Sequence, residues 1–395
     1  MLVTKDGRDN NVSFDVDVEP ILATKLGHYP QWWINLPQYQ PLHEDAMDLD
    51  KELAHLMISF QCLEQHIHLR IPHLEMVMIQ IRHQIEDEAI FKGPWDTNRR
   101  SYGDTKDHEH TALWPRRGFT IQSQNHGEHT VKPFNVIRTP AEAKQKFDYI
   151  VCAHKAINQD SVPEQLAPVV NQDQTTIVII QNGVGNEDPF RKAFPKCCIL
   201  SCVTWVGATQ TSPGIVHHTT SEDMQIGLFP TPHLPSQTQQ ERLATFTALL
   251  THGQTTFQTV PNIQLQRWEK LVWNAAWNSL TTLTMLDTKS WLTSSSDAIF
   301  LTRRLMSEVI DVARRCGVPL EYNLTDRLID KVLAMPVGIG SSMQTDRRNQ
   351  RPMEVEVILG TPVKRARELG IDTPTLETIY VLLKGIDSSV VGEFR

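Results

Sequence analysis

The spacing of apolar residues changes twice along this chain and divides it into three parts. Between 118 and 229 the apolar positions fall in short, dense runs: Gly118-Phe-Thr-Ile-Gln-Ser, Phe134-Asn-Val-Ile, Phe147-Asp-Tyr-Ile-Val-Cys-Ala, Thr175-Thr-Ile-Val-Ile-Ile-Gln181, Cys198-Ile-Leu-Ser-Cys-Val-Thr, Ile215-Val-His-His and Met224-Gln-Ile-Gly-Leu-Phe. Runs with so few polar breaks are expected of strands covered on both faces, as in a parallel sheet. A turn at Asn125-His-Gly127, a helical crossover over 161–172 and a helix over 240–251 complete an α/β pattern. From Asn262 onward the apolar period becomes three to four, predicting helices over 267–278, 297–316, 351–369 and 375–385. Two of these stop at Gly317-Val-Pro and Gly370-Ile-Asp-Thr-Pro374, with Gly just past the helix and Pro soon after.

The first 117 residues have neither texture. Residues 45–90 read as one or two amphipathic helices broken at Ile71-Pro72, and 91–117 as a linker or loop rich in turn formers. The expected organisation is an atypical N-terminal segment, helical and loop-rich (1–117), a Rossmann-like nucleotide domain remainder (118–257) and a helical domain (258–395). The fold class is α/β: an incomplete or atypical Rossmann-type domain followed by an all-α C-terminal domain.

Composition narrows the partners. With 40% hydrophobic and 21% charged residues the 395-residue chain is an ordinary globular one. A net charge of −8 without a basic block argues against nucleic acid or an anionic membrane. No apolar run approaches the ~20 residues that span a bilayer, and the first residues are too polar for a secretory signal. The six cysteines form no CxxC pair or disulfide-dense pattern, which fits a reducing cytoplasm. His66-x-His68 and His108-x-His110 have metal-like spacing, but no Cys or carboxylate set completes either group, so no metal is expected.

The candidate chemistry lies on Arg267-Trp-Glu-Lys-Leu-Val-Trp-Asn-Ala-Ala-Trp-Asn278. At 3.6 residues per turn Lys270, Asn274 and Asn278 share one face of an otherwise apolar helix. One amine beside two carboxamides suits a small anionic carbonyl compound; an ordinary solvated stripe is the alternative. This pattern resembles the ketopantoate reductase family (2-dehydropantoate 2-reductases). Further pieces follow in that family's order: Lys155-Ala156, Gln181-Asn-Gly-Val-Gly185, Pro213-Gly214 before Val-His, Ser342-Met343 with Asp346, and Glu354 with Gly360. The resemblance covers roughly 118–390. It implies reduction of 2-dehydropantoate to pantoate with NADPH, with Lys270 as general acid and Glu354 holding that amine. By the same resemblance Asn274, Asn278 and Ser342 bind the substrate, Lys155 and Asn182 border the cofactor, and the helical domain forms a homodimer.

One family element is missing. No Gly-x-Gly-x-x-Gly occurs in the chain, and the nearest approach is Gly183-Val-Gly185. In a dinucleotide fold that fingerprint follows the first strand and lets the pyrophosphate reach a helix N-terminus. Three readings remain open: a reductase of 2-dehydropantoate or a related 2-keto acid with an unusual N-terminal segment, a non-catalytic relative that keeps the fold for binding, and a chain whose start is disrupted or joined from a different coding segment. They divide on whether residues 1–117 supply a strand beside Phe147–Ala153, with a loop facing Asn182.

Overall fold

The computed structural model describes residues 66–71, 74–79, 118–131, 135–137, 139–212 and 214–391. Its strands are β1 (His66–Ile71), β2 (Leu74–Ile79), β3 (Phe119–Ser123), β4 (Gly127–Val131), β5 (Asn135–Ile137), β6 (Tyr149–Cys152), β7 (Thr176–Ile179), β8 (Cys198–Thr204), β9 (Ala208–Ser212), β10 (Ile215–His218), β11 (Met224–Phe229) and β12 (Gln258–Thr259). Eight of them form one sheet in the order β12-β11-β8-β7-β6-β2-β1-β5; β4-β3-β10-β9 form a second. Strands β2, β6, β7 and β8 run parallel at the centre of the large sheet. Every residue of β6, β7 and β8 is buried, as their apolar runs predict.

Within 45–90 the structure departs from the sequence reading. The segments expected to be helical are the strands β1 and β2, an antiparallel hairpin with Ile71 opposite Leu74. Pro72, placed there as a helix breaker, lies outside the described residues. A β-branched and apolar run such as Leu74-Glu-Met-Val-Met-Ile fits either period over so short a window, and pairing with the sheet decides it. Strand β2 lies beside β6, with Ile79 opposite Cys152, in the central parallel position of the sheet. Residues 91–117, read as a linker, and His108 and His110 lie outside the described residues.

Helices α1 (Val162–Leu166), α2 (Glu187–Ala193) and α3 (Ser236–His252) flank the sheet. The crossover expected over 161–172 is shorter than its prediction, because Pro163 and Pro168 leave one turn of α1 and a 3-10 turn. The helical part follows: α4 (Ile263–Thr284), α5 (Thr288–Leu292), α6 (Ala298–Arg315), α7 (Leu324–Ala334), α8 (Ser342–Arg348), a π-helical turn (Glu356–Gly360) running into α9 (Thr361–Leu369), and α10 (Pro374–Val391). Helix α4 is the axis of this part. Asn262 caps it by accepting from the Gln264 N–H at 3.2 Å. Leu271, Val272, Ala275, Ala276, Trp277 and Leu280 are then buried in one core with α6 residues Leu305, Met306, Val309 and Ile310.

Arg267 pins α4 to the sheet. Its guanidinium is about 1% exposed and pairs with Glu187 at 2.7 Å. It also donates to the carbonyls of Gln181 (2.9 Å), Gly183 (3.0 Å), Ile179 (3.2 Å) and Cys202 (3.3 Å), closing the ends of β7 and β8 around one side chain. The five donors of a guanidinium suit such a junction, where an ammonium would not. Cys198 and Cys202 are free thiols inside β8, pushed up to about 12 by burial.

Candidate functional site

The sheet delivers one side chain from each of three neighbouring strands to a single edge. Cys152, Ile179 and Ser201 are level in the ladder, and Lys155, Asn182 and Thr204 lie three residues beyond them. This is the carboxyl edge, where ligands meet open α/β sheets. Helix α4 crosses it and presents Lys270, whose ammonium donates to Asn182 Oδ1 at 3.0 Å and to the carbonyl of Thr204. An ammonium has three donors, so two are held and one remains for a ligand oxygen. Desolvation lowers the Lys270 pKa to about 8; the nearby Arg267 charge adds to the fall and Glu354 opposes it.

Glu354 is fixed from the sheet side. Its carboxylate accepts from Asn182 Nδ2 at 3.1 Å and from the Ala156 backbone N–H at 2.9 Å. The direct approach to Lys270 implied by the resemblance is replaced by a relay: ammonium, carboxamide, carboxylate. Glu354 lies just ahead of the π-helical turn rather than within a helix. Its carbonyl accepts from the Ile358 N–H at 3.3 Å.

Asn274 and Asn278 follow Lys270 by one and two turns, and each is 6% exposed. Neither side chain has a hydrogen-bond partner among the described residues, which leaves both amides available to a ligand. Ser342 opens α8 with its side chain exposed. The serine tied to α4 is its neighbour Ser341, whose hydroxyl meets Thr281 Oγ1 at 2.7 Å and caps α8 through the Gln344 N–H.

Lys155 is brought to the same edge, but its amine is engaged: it pairs with Asp346 and donates to the Pro352 carbonyl at 3.5 Å. Burial raises the Asp346 pKa while Lys155 and Arg351 pull it down. The glycines of Gln181-Asn-Gly-Val-Gly185 permit a tight turn. Gly183, at φ +88, lies against the chain itself: a Cβ there would meet Val357 Cβ and its carbonyl oxygen at 2.6 Å. The Val184 N–H bonds that carbonyl at 3.2 Å, so the turn is a seat for the π-helical segment.

The sequence reading missed Thr204, Trp205 and the Arg267–Glu187 pair. The first two carry no local signal. Arg267 did: a charge one turn before Lys270 on an apolar helix needs a buried partner, and Glu187 follows the Asn-Gly turn. Trp205 packs edge-to-face on Trp273, ring centres 6.2 Å apart, and Trp273 on Trp277 at 5.7 Å. Lys270 Nζ lies 5.4 Å from the Trp205 ring centre.

Comparison with known proteins accounts for this arrangement. Residues 105–231 match the model of ketopantoate reductase PanE/ApbA, and residues 262–387 match its C-terminal counterpart. The chain is 25% identical over 270 residues to a 2-dehydropantoate 2-reductase of Nostoc sp., covering 68% of this chain and 83% of that protein. The enzyme of that name from Mycobacterium tuberculosis (strain H37Rv) is 25% identical over 269 residues, covering 68% and 86%. Among solved structures, the 2-dehydropantoate 2-reductase from Methylococcus capsulatus superposes with a TM-score of 0.63 at 29% identity, over 71% of this chain and 87% of that one. A D-mandelate dehydrogenase, at 20% identity and a TM-score of 0.62, shares the fold. Among the described residues no helix is long and apolar enough to cross a membrane. With both family models matched in order and the sheet and helical part of the reductase fold in place, the chain belongs to the ketopantoate reductase family, whose members are oxidoreductases.

Proposed function

We propose that this chain reduces a small 2-keto acid, with 2-dehydropantoate the first substrate to try and NADPH the expected hydride donor. The observation that carries the reading is the line of Asn274 and Asn278, two little-exposed carboxamides free of protein hydrogen bonds among the described residues, one and two turns beyond a desolvated ammonium that has one N–H to spare. A carboxamide offers both donors and an acceptor, so two of them in line can grip an anionic, hydroxylated ligand. A ligand with carboxylate and hydroxyl oxygens is oriented by them.

In this reading Asn274, Asn278 and Ser342 hold the substrate's carboxylate and hydroxyl, and the free N–H of Lys270 meets the ketone oxygen. Lys270 passes its proton to that oxygen as it becomes an alkoxide, and its lowered pKa makes the transfer easier at neutral pH. Glu354, through Asn182, fixes where the ammonium points. A homodimer through the helical part belongs to the same reading; exposed Phe300, Val381 and Leu382 on α6 and α10 offer apolar surface for it.

The described residues fit a dinucleotide at one end only. Asn182 and Lys155 border the crevice where a nicotinamide ring belongs, but the pyrophosphate has no match. In this fold it rests on a glycine turn that follows the central parallel strand and opens a helix; the strand in that place is β2, and the residues after it lie outside the described ones. The chain has no glycine fingerprint elsewhere. Without that glycine pattern the backbone cradle loses its usual form, and each charge-assisted hydrogen bond it would supply is worth about 1.5–3 kcal/mol. This favours a second reading: a relative that binds the keto acid without reducing it.

Titrating the full chain with NADPH, followed by nucleotide fluorescence and then by turnover of 2-dehydropantoate, decides between them. Micromolar binding with turnover that Lys270→Ala reduces supports the reductase. Absence of binding up to millimolar nucleotide overturns it.

A further inference from the structure

The keto-acid site borders an aromatic surface that the reading above does not use. Trp205 follows Thr204, the residue whose carbonyl receives the Lys270 ammonium, so its ring is held against the proton donor. Its own N–H is spent on Gln225 Oε1 at 3.2 Å, which leaves the ring faces as its contribution. Trp273 comes one residue before Asn274 and stands edge-to-face to Trp205 with an interplanar angle of 76°. Both indoles are only half-buried, whereas Trp277 behind them is 1% exposed. A third group closes the row: the exposed Lys331 of α7 places Nζ 5.3 Å from the Trp273 ring centre and 5.7 Å from that of Trp205. It has no carboxylate partner among the described residues.

Around the site, then, stand the ammonium, two half-buried aromatic rings and an exposed surface cation. A 2-keto acid held by its carboxylate at Asn274 and Asn278, with its ketone at Lys270, has one group left to place: the substituent on the keto carbon. We propose that Trp205 and Trp273 receive that substituent, and that the chain prefers 2-keto acids bearing a flat aromatic one. Flat rings pair with indoles in the edge-to-face and offset geometries these two already adopt. Lys331 can yield its place over the rings at little cost, since an exposed lysine stays hydrated elsewhere. This rests on the keto-acid reading of the site, but not on turnover.

The test is calorimetric titration of the full chain with phenylglyoxylate, 3-methyl-2-oxobutanoate, 2-oxoglutarate and 2-dehydropantoate, with NADPH-dependent kcat/KM measured in parallel. Phenylglyoxylate should bind about tenfold or more tighter than 3-methyl-2-oxobutanoate, a difference in reach of one well-filled apolar contact. Trp273→Leu should erase that ratio, weakening phenylglyoxylate about tenfold more than 3-methyl-2-oxobutanoate; Trp205→Leu serves if the first variant does not fold. Aryl preference without turnover upholds the aromatic surface and sinks the reductase. Turnover of 2-dehydropantoate with no aryl preference does the reverse. Tightest binding of 2-oxoglutarate, lost in Lys331→Ala, overturns the proposal in favour of a second carboxylate site. If none of the four acids binds, both readings fall.

Discussion

Lys270 donates to Asn182 Oδ1 at 3.0 Å, and the same carboxamide donates its Nδ2 to Glu354 at 3.1 Å. The amide is thereby oriented: only its oxygen can face the ammonium, and only its nitrogen the carboxylate. Asn182→Asp places a second carboxylate beside Glu354 and next to the amine. Unlike charges favour the protonated amine, so the alkaline limb of the pH–rate profile should move upward by a readable fraction of a unit or more. Asn182→Ala should lower kcat about tenfold or more, since the amine loses its positioning contact. A limb that stays put in Asn182→Asp would show that this carboxamide does not tune Lys270.

Activity and stability should respond to alkali in opposite directions. Lys270 must carry its proton to donate it, so kcat/KM should fall as pH rises through about 8. The unfolded chain holds that proton up to the ordinary lysine value of 10.5, and the folded chain only to about 8. Between those values the unfolded state binds more protons, so this group's contribution to stability rises with pH. Lys270→Ala should remove the limb, lower kcat about 10²–10⁴-fold, and flatten the stability slope in that window. Urea titrations at pH 8 and pH 10 on both proteins check it.

Gly183→Ala should harm the site without touching a reacting group. Its Cβ would meet Val357 Cβ and the Val357 carbonyl oxygen at 2.6 Å, in a backbone conformation of φ +88. Such strain costs about 1–3 kcal/mol, and relief moves either Asn182 or Glu354. Melting temperature and kcat should therefore fall together, with Gly127→Ala (φ +79, nothing within 4 Å) as the comparison that shows the cost of conformation alone.

Much of this was legible in the chain and some was not, for physical reasons. Strands β6, β7 and β8 could be read because they are buried on both faces, which forces a continuous apolar run. The stripe Lys270, Asn274, Asn278 could be read because helical period is local. The hairpin β1–β2 could not, because its six-residue segments fit either period and only sheet neighbours choose between them. Nor could the relay through Asn182, which joins residues 88 and 172 positions apart. The resemblance placed Glu354 near the amine; only packing shows that a third side chain stands between them.

Arg267 and Glu187 test how far a buried pair supports the fold. Both are about 1% exposed, at 2.7 Å. Arg267→Met leaves Glu187 buried without its cation and frees four carbonyls, which should cost about 3–5 kcal/mol in denaturant unfolding. The double variant Arg267→Met with Glu187→Leu removes both charges and should recover part of that loss. A single variant as stable as the parent would show that the junction is held by apolar packing alone.

The two-residue link between β1 and β2 also changes how this edge of the sheet comes apart. A parallel crossover ties each strand to a helix docked on the sheet face, whereas a hairpin is complete in itself. Here β1 and β2 pair along five positions, while β2 meets β6 along four and β5 meets β1 along three. The hairpin can part from Tyr149–Cys152 as one piece, keeping its inner ladder. In native-state hydrogen exchange the Tyr149–Cys152 amides that face β2 should then open with the hairpin, well below the global unfolding free energy, while those of β7 and β8 persist to it.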